Sequence, residues 1–344
     1  MNKHFISLLF LLCLSLSSFA QELEEGQAAI DYDTSYIRDY RQRLSISTLF
    51  EFQNYFIAVY QDGEEFLQFT SNLPIPQYGF QGSYKWINFS VRFAIPKMSI
   101  VNADYKESEG ISIAFRPTLR KFYFSSFYEE YTGYRLINPE AHNSGSNNSD
   151  FPELNTQTLF TSVYYGLNNQ RFSYRNLIFQ NEQQKKSAGS VLFGLTGGFK
   201  WINADRDNPI LPDSSETNNG LIGIKYFNLG ANIGYAYTFV LHEKFNASLM
   251  LVPGVQYLDG IYKFQDGTET TVSTRLGFNA ETRFQMGYNS RNFFGGLSFT
   301  SYILSNWINE VAPVGSLHNY IRFNIGYHFH LKPIKALKPF GLSN

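Results

Sequence analysis

Tyr320–Leu331 sorts its side chains by parity: Ile321, Phe323, Ile325, Tyr327, Phe329 and Leu331 fall on one side, and Arg322, Asn324, Gly326, His328 and His330 on the other. A period of two makes this a strand with one apolar and one polar wall. Strands in soluble domains run about five or six residues. This run is roughly twice that, the length with which a tilted strand crosses a bilayer. Thr271–Tyr288 is more regular still. Val272, Thr274, Leu276, Phe278, Ala280, Thr282, Phe284, Met286 and Tyr288 alternate there with Thr271, Ser273, Arg275, Gly277, Asn279, Glu281, Arg283, Gln285 and Gly287. Phe227–Leu241 sets an apolar wall (Phe227, Leu229, Ala231, Ile233, Tyr235, Tyr237, Phe239, Leu241) against a small one (Asn228, Gly230, Asn232, Gly234, Ala236, Thr238).

The same reading places strands at Trp86–Ile95, Gly110–Arg116, Arg120–Tyr131, Thr156–Gly166, Arg171–Phe179, Ala188–Trp201, Lys244–Leu258 and Asn292–Ile303, with less regular ones in Arg43–Gln61 and Glu65–Tyr84. No helical period competes. The expected fold class is all-β: a single antiparallel transmembrane β-barrel of about 12 strands, or about 14 if Arg43–Gln61 is a hairpin turning at Gln53-Asn54. In the C-terminal half, tight turns at His242-Glu243 and Asn289-Ser290-Arg291 alternate with longer polar connections at Asp259–Thr270, Leu304–His318 and Ile202–Ile222. In the N-terminal half the alternation fails, because the long Thr132–Asn155 and the tight Asn168-Asn169 fall on the wrong sides. One strand in that half is therefore miscounted.

Composition strengthens the barrel. Aromatic residues make up 17% of the chain and charged residues only 17%, below the usual quarter. Abundant Tyr and Phe suit interfacial girdles and a lipid-facing band. After Ala20 no segment nears the ~18 apolar residues of a membrane helix. A net charge of -1 without a basic stripe argues against nucleic acid.

Residues 1–20 read as a secretory signal peptide: Lys3 and His4 are followed by apolar Phe5–Leu16 and by Ser18-Phe19-Ala20, a small-x-small cleavage pattern. Cys13 lies inside the apolar run, so the exported chain has no cysteine for disulfides, thiolate ligands or catalysis. Residues 21–42 carry Glu22, Glu24, Glu25, Asp31 and Asp33 and read as an extended periplasmic leader, with insertion into the barrel as a plug the alternative. The barrel is expected over 43–331 and a C-terminal tail over 332–344. The pattern Asn324, Gly326, Phe329 and Leu331 resembles the terminal-strand signal recognised by the barrel-assembly machinery of Gram-negative bacteria, departing from it in the tail beyond Leu331. The expected partners are thus membrane lipids of the outer membrane and that machinery, for a monomer.

Three segments resemble an outer-membrane β-barrel family of unknown function. They are Asp33-Thr34-Ser35-Tyr36-Ile37; Arg120-Lys121-Phe122-Tyr123 running into Tyr128-Glu129-Glu130-Tyr131-Thr132-Gly133-Tyr134; and Gln183-Gln184-Lys185-Lys186-Ser187-Ala188-Gly189-Ser190. The resemblance implies a barrel and a location, but no activity and no functional residue.

Candidate chemistry is sparse. Arg275, Asn279, Glu281 and Arg283 share one face, and Arg322, Asn324, His328 and His330 share the polar wall of the last strand; all are lumen-facing candidates. A mixed-charge set there either braces the barrel or sets the field in a channel. His328 and His330, two apart, have a spacing at which two imidazoles share a transition metal, against the plainer reading as lumen residues. Asn203–Asn208 begins like a calcium loop, but Asn208 replaces its glycine and Ser214 its glutamate. Lys185-Lys186 reads as a solvated hairpin, or as a contact for lipid phosphate. No Gly-x-Ser-x-Gly and no His-Glu-x-x-His is present. The expectation is a non-enzymatic barrel without cofactor or metal, acting as a narrow porin-like passage or a docking barrel. The alternatives are a membrane-embedded lipid or ester hydrolase using His328 or His142, and a structural component of a secretion machine.

Overall fold

The computed structural model describes residues 31–61, 65–71, 75–95, 109–137, 150–211, 220–306 and 314–330. Its elements are β1 Ile37–Asp39, β2 Leu44–Gln61, β3 Glu65–Ser71, β4 Ile75–Tyr84, β5 Ile87–Ala94, β6 Glu109–Phe115, β7 Phe122–Leu136, β8 Asp150–Gly166, α1 Tyr174–Ile178, β9 Glu182–Gln184, β10 Ala188–Asn203, β11 Leu221–His242, β12 Phe245–Phe264, β13 Glu269–Asn289, β14 Phe293–Asn306 and β15 Val314–Phe329. The parity seen in the sequence becomes a wall, and the wall closes where β15 pairs antiparallel with β2 from Phe329↔Leu44 to Val314↔Val59. Closure leaves no sheet edge to fray.

The ring does not have one strand count along its length. Near the short turns it runs β2, β4, β5, β6, β7, β8 and β10 to β15, which is twelve strands. Toward the loops, β3 takes the place of β4 beside β2 and pairs directly with β7 through Phe69↔Leu136 and Ser71↔Tyr134. The short β5 and β6 are bypassed there, and the ring has ten: β2, β3, β7, β8 and β10 to β15.

The expected 12 strands hold and the alternative 14 does not, since Leu44–Gln61 is one 18-residue strand without a turn. Arg171–Phe179 is not a strand. It contains α1 and lies in a segment, residues 167–187, between β8 and β10. Removing it restores the alternation, with connections 85–86, 116–121, 167–187, 243–244 and 290–292 at one end and the longer loops at the other.

Sidedness changes along the axis. Over the part nearer the turns the outer wall is apolar, with Leu195 61%, Ile233 56%, Leu251 52% and Ile325 69% exposed, while Ser45, Ser47, Glu51, Ser248, Arg283 and Arg322 face inward. This is a lipid-facing band around a polar lumen. Toward the loops the order inverts: Lys225, Asn203, Arg135 and Lys263 face out, and Ile57, Val59, Phe69, Tyr134, Leu136, Phe151, Ile202 and Ile224 pack inside as the largest buried apolar cluster. That end has the pattern of a water-immersed domain with its own core. Replacing Leu195 by Arg is expected to cost about 2–4 kcal/mol, the mid-bilayer figure for a cation on a lipid face, and Leu195→Phe almost nothing. Urea unfolding of the refolded barrel in lipid checks this; equal stabilities would take the band out of the bilayer.

Candidate functional site: the lumen and its plug

The lumen is filled in three tiers, beginning at the turn side. Residues 167–187 fold inward as a plug, and residues 31–43 form a strap across it. β1 of the strap pairs with β9 of the plug through Ile37↔Gln184, Arg38↔Gln183 and Asp39↔Glu182. Part of the expected leader is therefore inside the barrel end, and residues 21–30 lie outside the described residues, as do 1–20 and 332–344. Ser173 caps α1, its Oγ accepting from Asn176 N at 3.0 Å. Five residues make a marginal helix alone; here tertiary contacts hold it.

Those contacts reach most of the ring. Arg175 Nη1 donates to Lys85 O at 2.9 Å and Nη2 to Thr118 O. Asn289 Nδ2 donates to Gln180 O at 2.8 Å and Glu182 O at 2.7 Å, and Asn324 Nδ2 to Gln180 Oε1 at 2.9 Å. Asn181 Nδ2 donates to Ser83 Oγ, Asn176 Nδ2 to Asn246 Oδ1 and Gln183 Nε2 to Glu243 O. Tyr174 stacks on Tyr123 of β7 with ring centroids 4.1 Å apart. Gln180 holds φ 57°, a left-handed conformation that costs a non-glycine residue. Its bonds to β13, β14 and β15 fix it there.

At the centre of the plug Glu182 is fully buried. It accepts from Arg120 Nη1 at 3.0 Å and Ser173 Oγ at 2.6 Å, with Arg175 Nε at 3.7 Å and Arg41 Nε at 3.6 Å. Burial alone would raise this carboxyl, but Arg120, Arg175 and Arg41, with the Ser173 hydroxyl, hold it below the usual carboxylate range. Burial, joined by the charge of Arg41, pulls the Arg175 guanidinium down to about 10. The three segments that carry the family resemblance meet at this point. Ile37 of the first pairs with Gln184 of the third, and Arg120 and Tyr123 of the second bind Glu182 and Tyr174.

The middle tier is a charge network. Arg92 Nη1 contacts both Glu51 oxygens at 2.7 and 2.9 Å, and Arg322 Nε reaches Glu51 Oε2 at 2.6 Å. Arg92 Nη2 extends to Glu129 Oε1 at 3.3 Å. Glu129 also accepts from Tyr55 OH and Ser112 Oγ, each at 2.9 Å, and lies 3.2 Å from His318 Nδ1. Glu281 accepts from Tyr164 OH at 2.6 Å and pairs with Arg283, which donates to Tyr302 OH. Phe127, Phe160, Tyr302 and Tyr320 pack beside these groups. The third tier is the apolar cluster at the loop end.

Of the lumen-facing candidates, Asn279, Glu281, Arg283, Arg322 and Asn324 do face inward, Asn279 accepting from Asn232. The Arg275 side chain lies outside the described residues. His328 and His330 are not brought together: His328 is buried between Tyr40 and Phe294 with Ser45 Oγ 2.7 Å from its Nδ1, whereas His330 is exposed past the strand end. Among the described residues no cluster of three or more metal-ligating side chains occurs. Within the terminal-strand pattern, Gly326 is needed because a Cβ there would lie 2.7 Å from the backbone oxygen of Ile46 and against the Phe294 ring; Phe329 faces out and Leu331 is outside the described residues. Lys185-Lys186 folds back on the strap, Lys185 Nζ donating to Thr34 O at 2.9 Å. Asp205 and Asn208 close a small exposed turn, and Ser214 lies outside the described residues. Sequence reasoning missed Glu51, Arg92, Arg116, Arg120, Glu129, Arg175 and Glu182. The available signal was Glu51 on the Ser45, Ser47 parity, between outward Phe50 and Phe52.

No curated protein matches this chain. Among solved structures it is similar to the outer membrane protease OmpT from Escherichia coli (9% identity, 88% of this chain and 99% of that chain, TM-score 0.41). It is likewise similar to the COG4313 outer membrane channel from Pseudomonas putida F1 (11%, 87% and 100%, TM-score 0.37) and the Ralstonia pickettii toluene transporter TbuX (8%, 84% and 90%, TM-score 0.29). The family model described as a domain of unknown function, DUF4421, matches residues 31–329, from the start of the strap to the end of β15, and this chain belongs to that family.

Proposed function

We propose that the protein is a plugged outer-membrane barrel of docking type, closed to ions at rest, exported through residues 1–20 and inserted as a monomer with its turns toward the periplasm. The observation that carries this reading is the plug bonded to β13, β14, β15 and the 85–86 and 116–121 turns. A standing pore needs a continuous wet path. Here the plug, the ion network and the apolar cluster lie across it in series. The strap and plug present Arg38, Arg171, Lys185 and Lys186 on the turn side, the surface on which a periplasmic partner would act.

Refolded wild-type protein is expected to give no sustained conductance steps in planar bilayers. Steady open-channel current would overturn the reading. The hydrolase reading has one observation in its favour, the Ser45–His328 pair, but Tyr40 covers it and the His328 Nε2 is buried without a partner. Ester turnover by the refolded barrel that disappears in His328→Ala would replace docking with catalysis.

A further inference from the structure

The inward charges of the barrel wall do not balance. Between the plug and the loop-side cluster, the described wall buries five basic side chains, Arg92, Arg116, Lys200, Arg283 and Arg322, and three acidic ones, Glu51, Glu129 and Glu281. A buried charge without a counter-charge costs several kcal/mol. Two cations are therefore in surplus, and the surplus has a place.

Arg116, 3% exposed, has no carboxylate partner among the described residues: its Nε and Nη1 donate to Ser125 Oγ and Ser90 Oγ, each at 3.2 Å. Arg322 spends Nε on Glu51, while its Nη2 is buried with no partner among the described residues. The Tyr320 ring lies beside them, its centroid 5.2 Å from the Arg322 guanidinium and 5.8 Å from that of Arg92. Its phenol stands in the combined field of Arg283, Arg322 and Arg116. Tyr174 of the plug lies in the field of both Arg116 and Arg283. The free edges here are guanidinium forks and one phenol, donors that match oxygen pairs on a tetrahedral anion better than a halide.

We propose that this cluster of buried donors binds one small dianionic oxyanion, of the hydrogen phosphate or sulfate class, through Arg116, the Nη2 edge of Arg322 and the Tyr320 hydroxyl. One dianion cancels the surplus of two. The site stands on the wall and the seated plug, and holds whether or not the barrel docks a partner. Because the plug covers it, exchange with bulk requires the plug to move, and an anion taken in during folding stays with the barrel.

The test is to refold the full chain in detergent in chloride, phosphate or sulfate at equal ionic strength, remove free anion by gel filtration, and measure bound phosphate or sulfate by native mass spectrometry. About one equivalent per barrel is expected, with a higher unfolding midpoint than in chloride. Arg116→Gln should retain roughly tenfold less at matched anion concentration while keeping its heat-modifiable gel mobility. Wild type retaining neither anion above the chloride control, or Arg116→Gln retaining as much as wild type, would overturn the site. If Arg116→Gln does not fold, Tyr320→Phe and the wild-type midpoint series decide by the same criteria.

Discussion

Glu182→Gln is expected to unseat the plug while leaving the barrel wall closed. The substitution keeps the shape of the side chain but removes the counter-charge of Arg175, whose one ion pair among the described residues is with Glu182, and one of two counter-charges of Arg120 and Arg41, which keep Asp31 and Asp39. Breaking a buried pair by deleting one partner costs about 3–5 kcal/mol. The surviving acids place this case near the lower bound, ~3 kcal/mol, still enough to shift a docking equilibrium by roughly a hundredfold. The variant should show faster proteolysis within residues 167–187 than wild type, with unchanged heat-modifiable mobility. The double variant Glu182→Gln, Arg175→Met should be cleaved more slowly than the single one, because it removes the stranded charge as well.

The same carboxyl sets the acid limit of the plug. Its pKa is depressed in the seated state, so the docked form binds fewer protons than the free form. Its contribution is fully present above the free value of about 4.3 and is lost as pH falls through the lower, seated value. Protection of residues 167–187 from hydrogen exchange should thus persist at neutral pH and through mild acid, and be lost in wild type only under strong acid. Loss of that protection on mild acidification would show that a group other than Glu182 holds the plug.

Glu51→Ala is expected to weaken the wall itself. Glu51 is fully buried and serves two arginines, with Arg92 on β5 and Arg322 on β15 approaching within 2.7 and 2.6 Å. Both would remain inside the lumen, Arg92 retaining Glu129 and Arg322 retaining no carboxylate among the described residues. A loss of about 3–5 kcal/mol is expected, read as a lower urea midpoint for loss of the fast-migrating gel form. Replacing the triad by apolar residues of similar volume, Glu51→Leu with Arg92→Met and Arg322→Met, should recover most of it. A single variant as stable as wild type would mean that lumen water already screens these charges.

The strands from Ala188 onward were legible because lipid outside and small polar groups inside impose opposite demands on successive residues. Leu44–Gln61 looked irregular for a physical reason. Its inner parity runs Ser45, Ser47, Leu49, Glu51, Gln53, Tyr55, Ile57, Val59, passing from polar to apolar as the surroundings change from the plug to the loop-side core. The plug was misread because Tyr174, Arg175, Asn176 and Leu177 are all buried, so no stripe marks the helix. Arg322 and Glu51, separated by 271 in sequence, become neighbours by ring closure, which local pattern does not encode. The resemblance motifs pointed at the right segments without saying that they touch.

The change from twelve strands at the turns to ten at the loops gives the bore a taper, since barrel diameter scales with strand number. A stopper seated at the wide mouth of a cone is driven tighter by thrust from that mouth and travels freely only back through it. Traction on the strap, which is paired to the plug through β1 and β9, acts along that permitted direction when it comes from the turn side.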